Sequence, residues 1–186
     1  MRSISTNDPF LSLAIQSRAA ALDLIEQKKP YRAISIIDGA LSMAEEAAPG
    51  PERDEVMILL KADLARAVFG NGGSSCPNAF REAGPERMFA ITLGQARERL
   101  GDKHPAFAYV LVAEADMYMA RCDHHTAETR YLQALDILDC RDCPDRELLA
   151  QVLEKGAVLM EKTDRASGAR TYRARAGEVR SGLYMR

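Results

Sequence analysis

The sequence predicts an all-α chain of about four antiparallel helical hairpins, and three observations carry that reading. Apolar residues recur at helical spacing, three and four apart, along nearly the whole chain, with little of the β-branched alternation that strands need. Prolines and a capping aspartate stand where the periodic runs begin, as at Asp8-Pro9, Pro30, Pro51 and His104-Pro105. The runs also come in pairs joined by short polar breaks, and no such run buries its apolar face alone.

Asp8 serves as N-cap and Pro9 as the first helical residue of the first run. Leu13, Ala14, Ser17, Ala20, Ala21, Leu24 and Ile25 then mark its apolar face. Lys28-Lys29-Pro30 stops it, and Pro30 opens a second helix with Ala33, Ile36, Ile37, Ala40 and Leu41 on one side. Ala48-Pro49-Gly50-Pro51 ends that hairpin. The second hairpin starts near Pro51 with a stripe of Val56, Leu59, Leu60, Leu64 and Ala67, interrupted by Asp63. GNGGSSCPN follows and is not helical throughout, so residues 70–85 are expected to be an insertion within the second repeat. A helix resumes at about Glu86 and runs to Leu100. A third hairpin covers His104 to Leu138, and a fourth Pro144 to about Leu183.

The 186 residues are expected to form a single repeat domain over 1–186, with 1–8 a flexible start. Hydrophobic residues make up 47% and charged residues 28%, values ordinary for a soluble chain. The net charge of −2 is uneven: six Arg and one Glu between Arg165 and Arg186 give +5, leaving −7 for the rest. That acidic body argues against general nucleic-acid affinity. No signal peptide or membrane-spanning run is visible, so a cytoplasmic location is expected. Four cysteines, Cys76, Cys122, Cys140 and Cys143, suit a reduced compartment better than a disulfide framework.

The third hairpin carries a repeat signature. Ala115, Tyr118, Ala127, Tyr131 and Ala134 are spaced so that small residues let two helices approach and tyrosines fill the gaps beside them. This spacing resembles the tetratricopeptide (TPR) repeat, and the lead-in GDKHPAFAYVL is similar to the longer repeats of kinesin light chains. The first hairpin follows with Ala21, Leu24, Ala33, Ile37 and Ala40, and the fourth with Gly156, Leu159, Gly168 and Tyr172, although Arg175 replaces a small residue. Ala127 to Gly168 is 41 residues, beyond the common 34-residue period, which suits the longer variant.

The resemblance implies a right-handed superhelix whose first helices line a concave surface for a partner polypeptide. The residues it places there are Arg18, Leu22 and Ile25 in repeat one, and Val56, Leu59, Asp63 and Arg66 in repeat two. Repeat three supplies Tyr109, Val112, Asp116 and Met119, and repeat four Leu153, Ala157 and Met160. Leu22 and Val112 stand where carboxylate-binding members need donors, so an amphipathic or apolar segment is the expected ligand. Glu114 and Lys155 fall at equivalent, normally leucine positions, and are expected to pair across the repeat interface because a lone buried charge is costly.

Catalytic and metal sites are not expected, and neither is a cofactor. The Cys140–Cys143 pair has metal-ligand spacing, but about 14 helical residues, roughly 21 Å, separate it from Cys122, His124 and His125. Cys76 and Cys122 fall in the turns of adjacent hairpins, where a contact is conceivable. No histidine lies beside a nucleophile in a readable motif, and GNGGSSC lacks the Lys-Ser/Thr of a phosphate loop. The expected role is thus a non-enzymatic adaptor, in its narrower form a small chaperone for an apolar client segment. The alternative is a regulatory protein that contacts nucleic acid or an acidic partner through the arginine-rich last helix. Within the insertion, Phe80 is expected to anchor a partner.

Overall fold

Among the described residues five helices begin at a proline, where the missing N–H is no loss because a first-turn donor has no partner inside the helix. The computed structural model describes residues 8–72, 84–139 and 145–182, and among them the secondary structure is helical. In order the helices are α1 Pro9–Glu26, α2 Pro30–Glu46, α3 Pro51–Gly70, α4 Pro85–Leu100, α5 Pro105–Ala120, α6 His124–Leu138, α7 Arg146–Lys162 and α8 Ala166–Ser181. These limits match the sequence reading closely. Phe80, Cys76, Cys140, Cys143 and Leu183 lie outside the described residues, as does most of the 70–85 insertion.

Side chains supply the caps that the prolines do not. Asp8 Oδ1 accepts the N–H groups of Phe10 and Leu11 at 2.9 and 3.2 Å. Its other oxygen accepts the Ala48 N–H at 3.1 Å, which ties the start of α1 to the end of α2. These bonds, that from Ala48 foremost, hold the Asp8 carboxyl below its usual range. His104 Nδ1 accepts the Ala106 N–H at 3.1 Å, so this histidine is the N-cap of α5. Asp123 and Asp145 cap α6 and α7 in the same way.

All four first helices end alike. Lys28, Gly72, Cys122 and Asp164 adopt left-handed φ values of 57°, 76°, 62° and 57° two residues past the last helical position. In three of these turns the next N–H folds back onto the helix: Lys29 to Leu24 O at 2.9 Å, Asp123 to Tyr118 O at 3.0 Å, and Arg165 to Met160 O at 2.8 Å. One turn geometry therefore repeats through the chain.

The helices gather into two compact units, one spanning Ile4–Asp102 and the other taking in Lys103–Arg186. In the first, α1 pairs with α2 and α3 with α4, while α3 also packs on α1 and α2. That is why α3 is buried over most of its circumference, with Val56, Ile58, Leu60, Leu64 and Val68 almost fully covered. Each such side chain contributes roughly 1.5–3 kcal/mol by leaving water. The apolar stripe on α1 is rotated from the predicted one. Leu11, Ala14, Arg18 and Ala21 face inward, whereas Leu13 is 47% exposed. Asp63 on α3 draws Arg18 into the core and fixes that rotation.

In the second unit α5 pairs with α6 and α7 with α8, and α6 packs on α7. Ala115, Ala127, Ala134 and Tyr131 are buried as the repeat spacing requires. Gly156 and Gly168 do the same work for the last hairpin. Tyr172 of α8 lies against Gly156, and Met160 of α7 lies against Gly168.

Candidate functional site

The first helices of each unit carry the residues assigned to partner binding, and their side chains divide into two groups. In the Ile4–Asp102 unit, Leu22 and Ile25 on α1 and Arg66 on α3 are partly exposed, while Arg18, Val56, Leu59 and Asp63 are buried. Arg18 Nε donates to Asp63 Oδ2 at 2.7 Å, and Arg66 Nη1 donates to Asp63 Oδ1 at 3.3 Å. The accessible portion of this face is thus two aliphatic side chains and one guanidinium, set on a buried ion pair.

In the Lys103–Arg186 unit, Tyr109, Asp116 and Met119 on α5 and Met160 on α7 are partly exposed, while Val112, Leu153 and Ala157 are buried. The Tyr131 hydroxyl donates to Asp116 Oδ1 at 2.7 Å, and Lys155 Nζ donates to Asp116 Oδ2. Burial, with the Asp116 carboxylate beside it, raises the Tyr131 phenol far above its ordinary value, so it stays a donor. Both units place one aspartate of a first helix against a cation from the neighbouring first helix. Sequence position alone does not reveal this, because partner choice depends on helix rotation.

The expected Glu114–Lys155 pair does not form. Glu114 is buried, as its register requires, but Arg130 of α6 lies 2.8 Å from it. Lys155 turns instead to Asp116. Burial raises the Glu114 carboxyl above its usual range, and Arg130 offsets part of that shift. A cross-repeat ion pair is therefore present, with Asp116 rather than Glu114 as the acid.

The arginines of the last helix and its cap are largely engaged within their own unit. Arg165 grips Glu128 through two bonds of 2.7 and 3.0 Å. Arg173 holds Glu161, Arg180 holds Glu154, and Arg175 reaches Asp139 at the end of α6. These bonds lower the carboxyls of Glu128, Glu154 and Glu161 below their ordinary range. Arg175, at a position where the repeat calls for a small residue, is accommodated by that ion pair.

Among the described residues no group of three or more His, Cys, Asp or Glu is placed to hold a metal ion. Cys122 is an exposed free thiol in the α5–α6 turn. No helix among the described residues is long and apolar enough to cross a membrane.

No family model matches the chain, and no curated protein matches it. Solved structures do. BtubC (BKLC) from P. vanneervenii superposes with a TM-score of 0.63 at 16% identity, covering 98% of this chain and 67% of that one. A Podosopora anserina putative kinesin light chain of nearly identical TPR-like repeats gives 0.51 at 14% identity, covering 90% and 87%. A point variant of that protein gives 0.50 at 15% identity, covering 90% and 86%. The fold is TPR-like. At these identities the likeness concerns the α-solenoid fold of helical hairpins, and the TPR-like register agrees with the buried Ala115, Ala127 and Ala134.

Proposed function

We propose that this TPR-like chain is a non-enzymatic scaffold that binds a partner polypeptide along the first helices of its hairpins. The observation that carries the reading is the set of partly exposed, mostly apolar side chains there: Leu22 and Ile25 on α1, Tyr109 and Met119 on α5, and Met160 on α7. Methionines adapt to irregular apolar surfaces, which suits an amphipathic or extended apolar ligand. Arg66 in one unit, and the Asp116–Lys155 pair in the other, are partly exposed polar groups on the same set of helices. The narrower form, a small cytoplasmic chaperone for an apolar client segment, belongs to the same proposal. The competing role, phosphate contact through the last helix, loses support because Arg165, Arg173, Arg175 and Arg180 already have carboxylate partners.

Photo-cross-linking residues at Leu22, Ile25, Tyr109 and Met119 test the reading in native extract. Within each unit these positions should trap a polypeptide, and exposed Thr171 on α8 should not. Equal trapping at Thr171, or none at the four positions, overturns it.

A further inference from the structure

An open pocket of about 600 Å³ lies at the α1–α2 turn, lined among the described residues by Lys28, Lys29, Pro30, Tyr31, Arg32 and Asn71. Three of these six side chains are cationic and none is acidic. Elsewhere several cations are held by acids: Arg18 by Asp63, Arg99 by Asp54, and Arg173 and Arg180 of α8 by acids of the same unit. Lys28, Lys29 and Arg32 have no carboxylate partner among the described residues; Lys29 Nζ donates only to the Gln27 amide, at 2.9 Å. Between them Tyr31 is 74% exposed, the most open of the exposed large apolar side chains. An exposed tyrosine ringed by unpaired cations offers an acidic ligand both complementary charge and an apolar surface.

We propose that this pocket binds an acidic segment of a partner polypeptide, with carboxylates on Lys28, Lys29 and Arg32 and an aromatic or aliphatic residue against Tyr31 and Pro30. The site adds to the faces described above and rests on the reading of the chain as a protein-interaction module. Charge complementarity selects the occupant. Three cations match a short run of carboxylates, and the positive end of α2, which has no side-chain cap, favours the same sign. A polynucleotide fits less well. It needs a longer basic track, and the sequence before Arg165 carries a net charge of −7 by composition. Asn71, the C-cap of α3, places an amide at the pocket wall for a ligand backbone.

The probe is a short fluorescein-labelled peptide in which glutamates flank one phenylalanine, titrated against the full chain by anisotropy at low salt. The peptide should bind, and binding should weaken as sodium chloride rises. Lys29→Glu with Arg32→Glu should reduce affinity by about tenfold or more, and Tyr31→Ala by several-fold. Acidic residues at the start of α2 suit the helix dipole, so the charge reversal should leave circular dichroism unchanged. The milder Lys29→Gln with Arg32→Gln serves if it does not. A glutamine version of the peptide should bind about tenfold more weakly. Absence of binding at low salt, indifference to charge reversal, or tighter binding of an oligothymidylate through the same residues each overturns the proposal. Displacement by inorganic phosphate at lower concentration than by unlabelled peptide also overturns it, since the site would then be one for a small anion. If the peptide fails while cross-linking at Leu22 and Met119 succeeds, only the pocket is lost. If both fail, the interaction-module reading falls with it.

Discussion

A Cβ built on Gly156 of α7 would stand 2.8 Å from Cε2 and 2.9 Å from Cδ2 of Tyr172 on α8. The tyrosine ring thus occupies space that only glycine leaves open. Gly156→Ala gains about 1 kcal/mol of helix propensity but forces the ring aside, and overpacking typically costs roughly 1–3 kcal/mol. A net loss of stability is expected. Gly39 and Gly94, also within helices, have open space at the Cβ position, so alanine there should stabilise by about 0.5–1 kcal/mol. Urea denaturation of the three variants checks the contrast, and a Gly156→Ala protein as stable as Gly94→Ala contradicts the packing.

The two aspartate–cation pairs of the first helices should respond unequally. Arg18 and Asp63 side chains are only 5% and 0% exposed, so Asp63→Ala removes the carboxylate beside a buried guanidinium and should cost about 3–5 kcal/mol. Asp116 and Lys155 are 28% and 35% exposed, and water replaces the lost partner. Asp116→Ala should cost about 1 kcal/mol or less for the ion pair, with a further loss of about 1 kcal/mol from the Tyr131 hydrogen bond. Thermal denaturation ranks the two, and Arg18→Met with Asp63→Leu should recover much of the larger loss.

Acid should weaken the last hairpin. Bonds from Arg165, Arg180 and Arg173 hold Glu128, Glu147, Glu154 and Glu161 below the ordinary glutamate value of 4.5. A carboxyl with a lowered folded value stabilises fully above 4.5, and that contribution disappears as pH falls through the lowered value. Glu114 has the opposite sign. Its raised carboxyl adds most below 4.5 and less as pH climbs through its folded value. Urea midpoints between neutral pH and about pH 3 should therefore fall, less steeply in Arg173→Gln with Arg180→Gln and less steeply at high salt. In Glu114→Gln the decline should steepen, because an opposing carboxyl is gone.

Helix limits were legible because they rest on local chemistry. Pro9, Pro30, Pro51 and Pro105 each begin a helix, and Asp8 caps the first with its own side chain. The small-residue register was legible for a similar reason, since only small side chains permit the close helix contacts at Ala115, Ala127 and Ala134. Side-chain pairing was not legible. Glu114 and Asp116 lie about 200° apart around α5, so a two-residue difference in register decides which of them faces Lys155. The pocket at the α1–α2 turn was hidden for a further reason. Lys28-Lys29-Pro30 read only as the stop of one helix and the start of the next, and the wall that makes a pocket there comes from Asn71, on a different hairpin.

The repeated turn at the end of each first helix yields the last prediction. Lys28, Cys122 and Asp164 hold left-handed φ values that only Gly72, in the second hairpin, adopts without a side-chain penalty. A non-glycine residue in this conformation costs roughly 1–2 kcal/mol, whereas glycine adds unfolded-chain entropy of about 0.4–1 kcal/mol. The strain term is the larger. Cys122→Gly and Asp164→Gly should therefore each stabilise by up to about 1 kcal/mol, and Gly72→Ala should destabilise by a similar amount. Neither gain depends on a lost contact of Cys122, whose side chain is exposed. The backbone bonds that close the turns, Asp123 N–H to Tyr118 O and Arg165 N–H to Met160 O, are available to glycine as well. Lys28→Gly should show the same gain while removing one cation from the α1–α2 pocket, which separates turn strain from ligand binding at that position. Urea denaturation of all four variants decides the matter. A loss of stability in both Cys122→Gly and Asp164→Gly would mean that these turns are not strained.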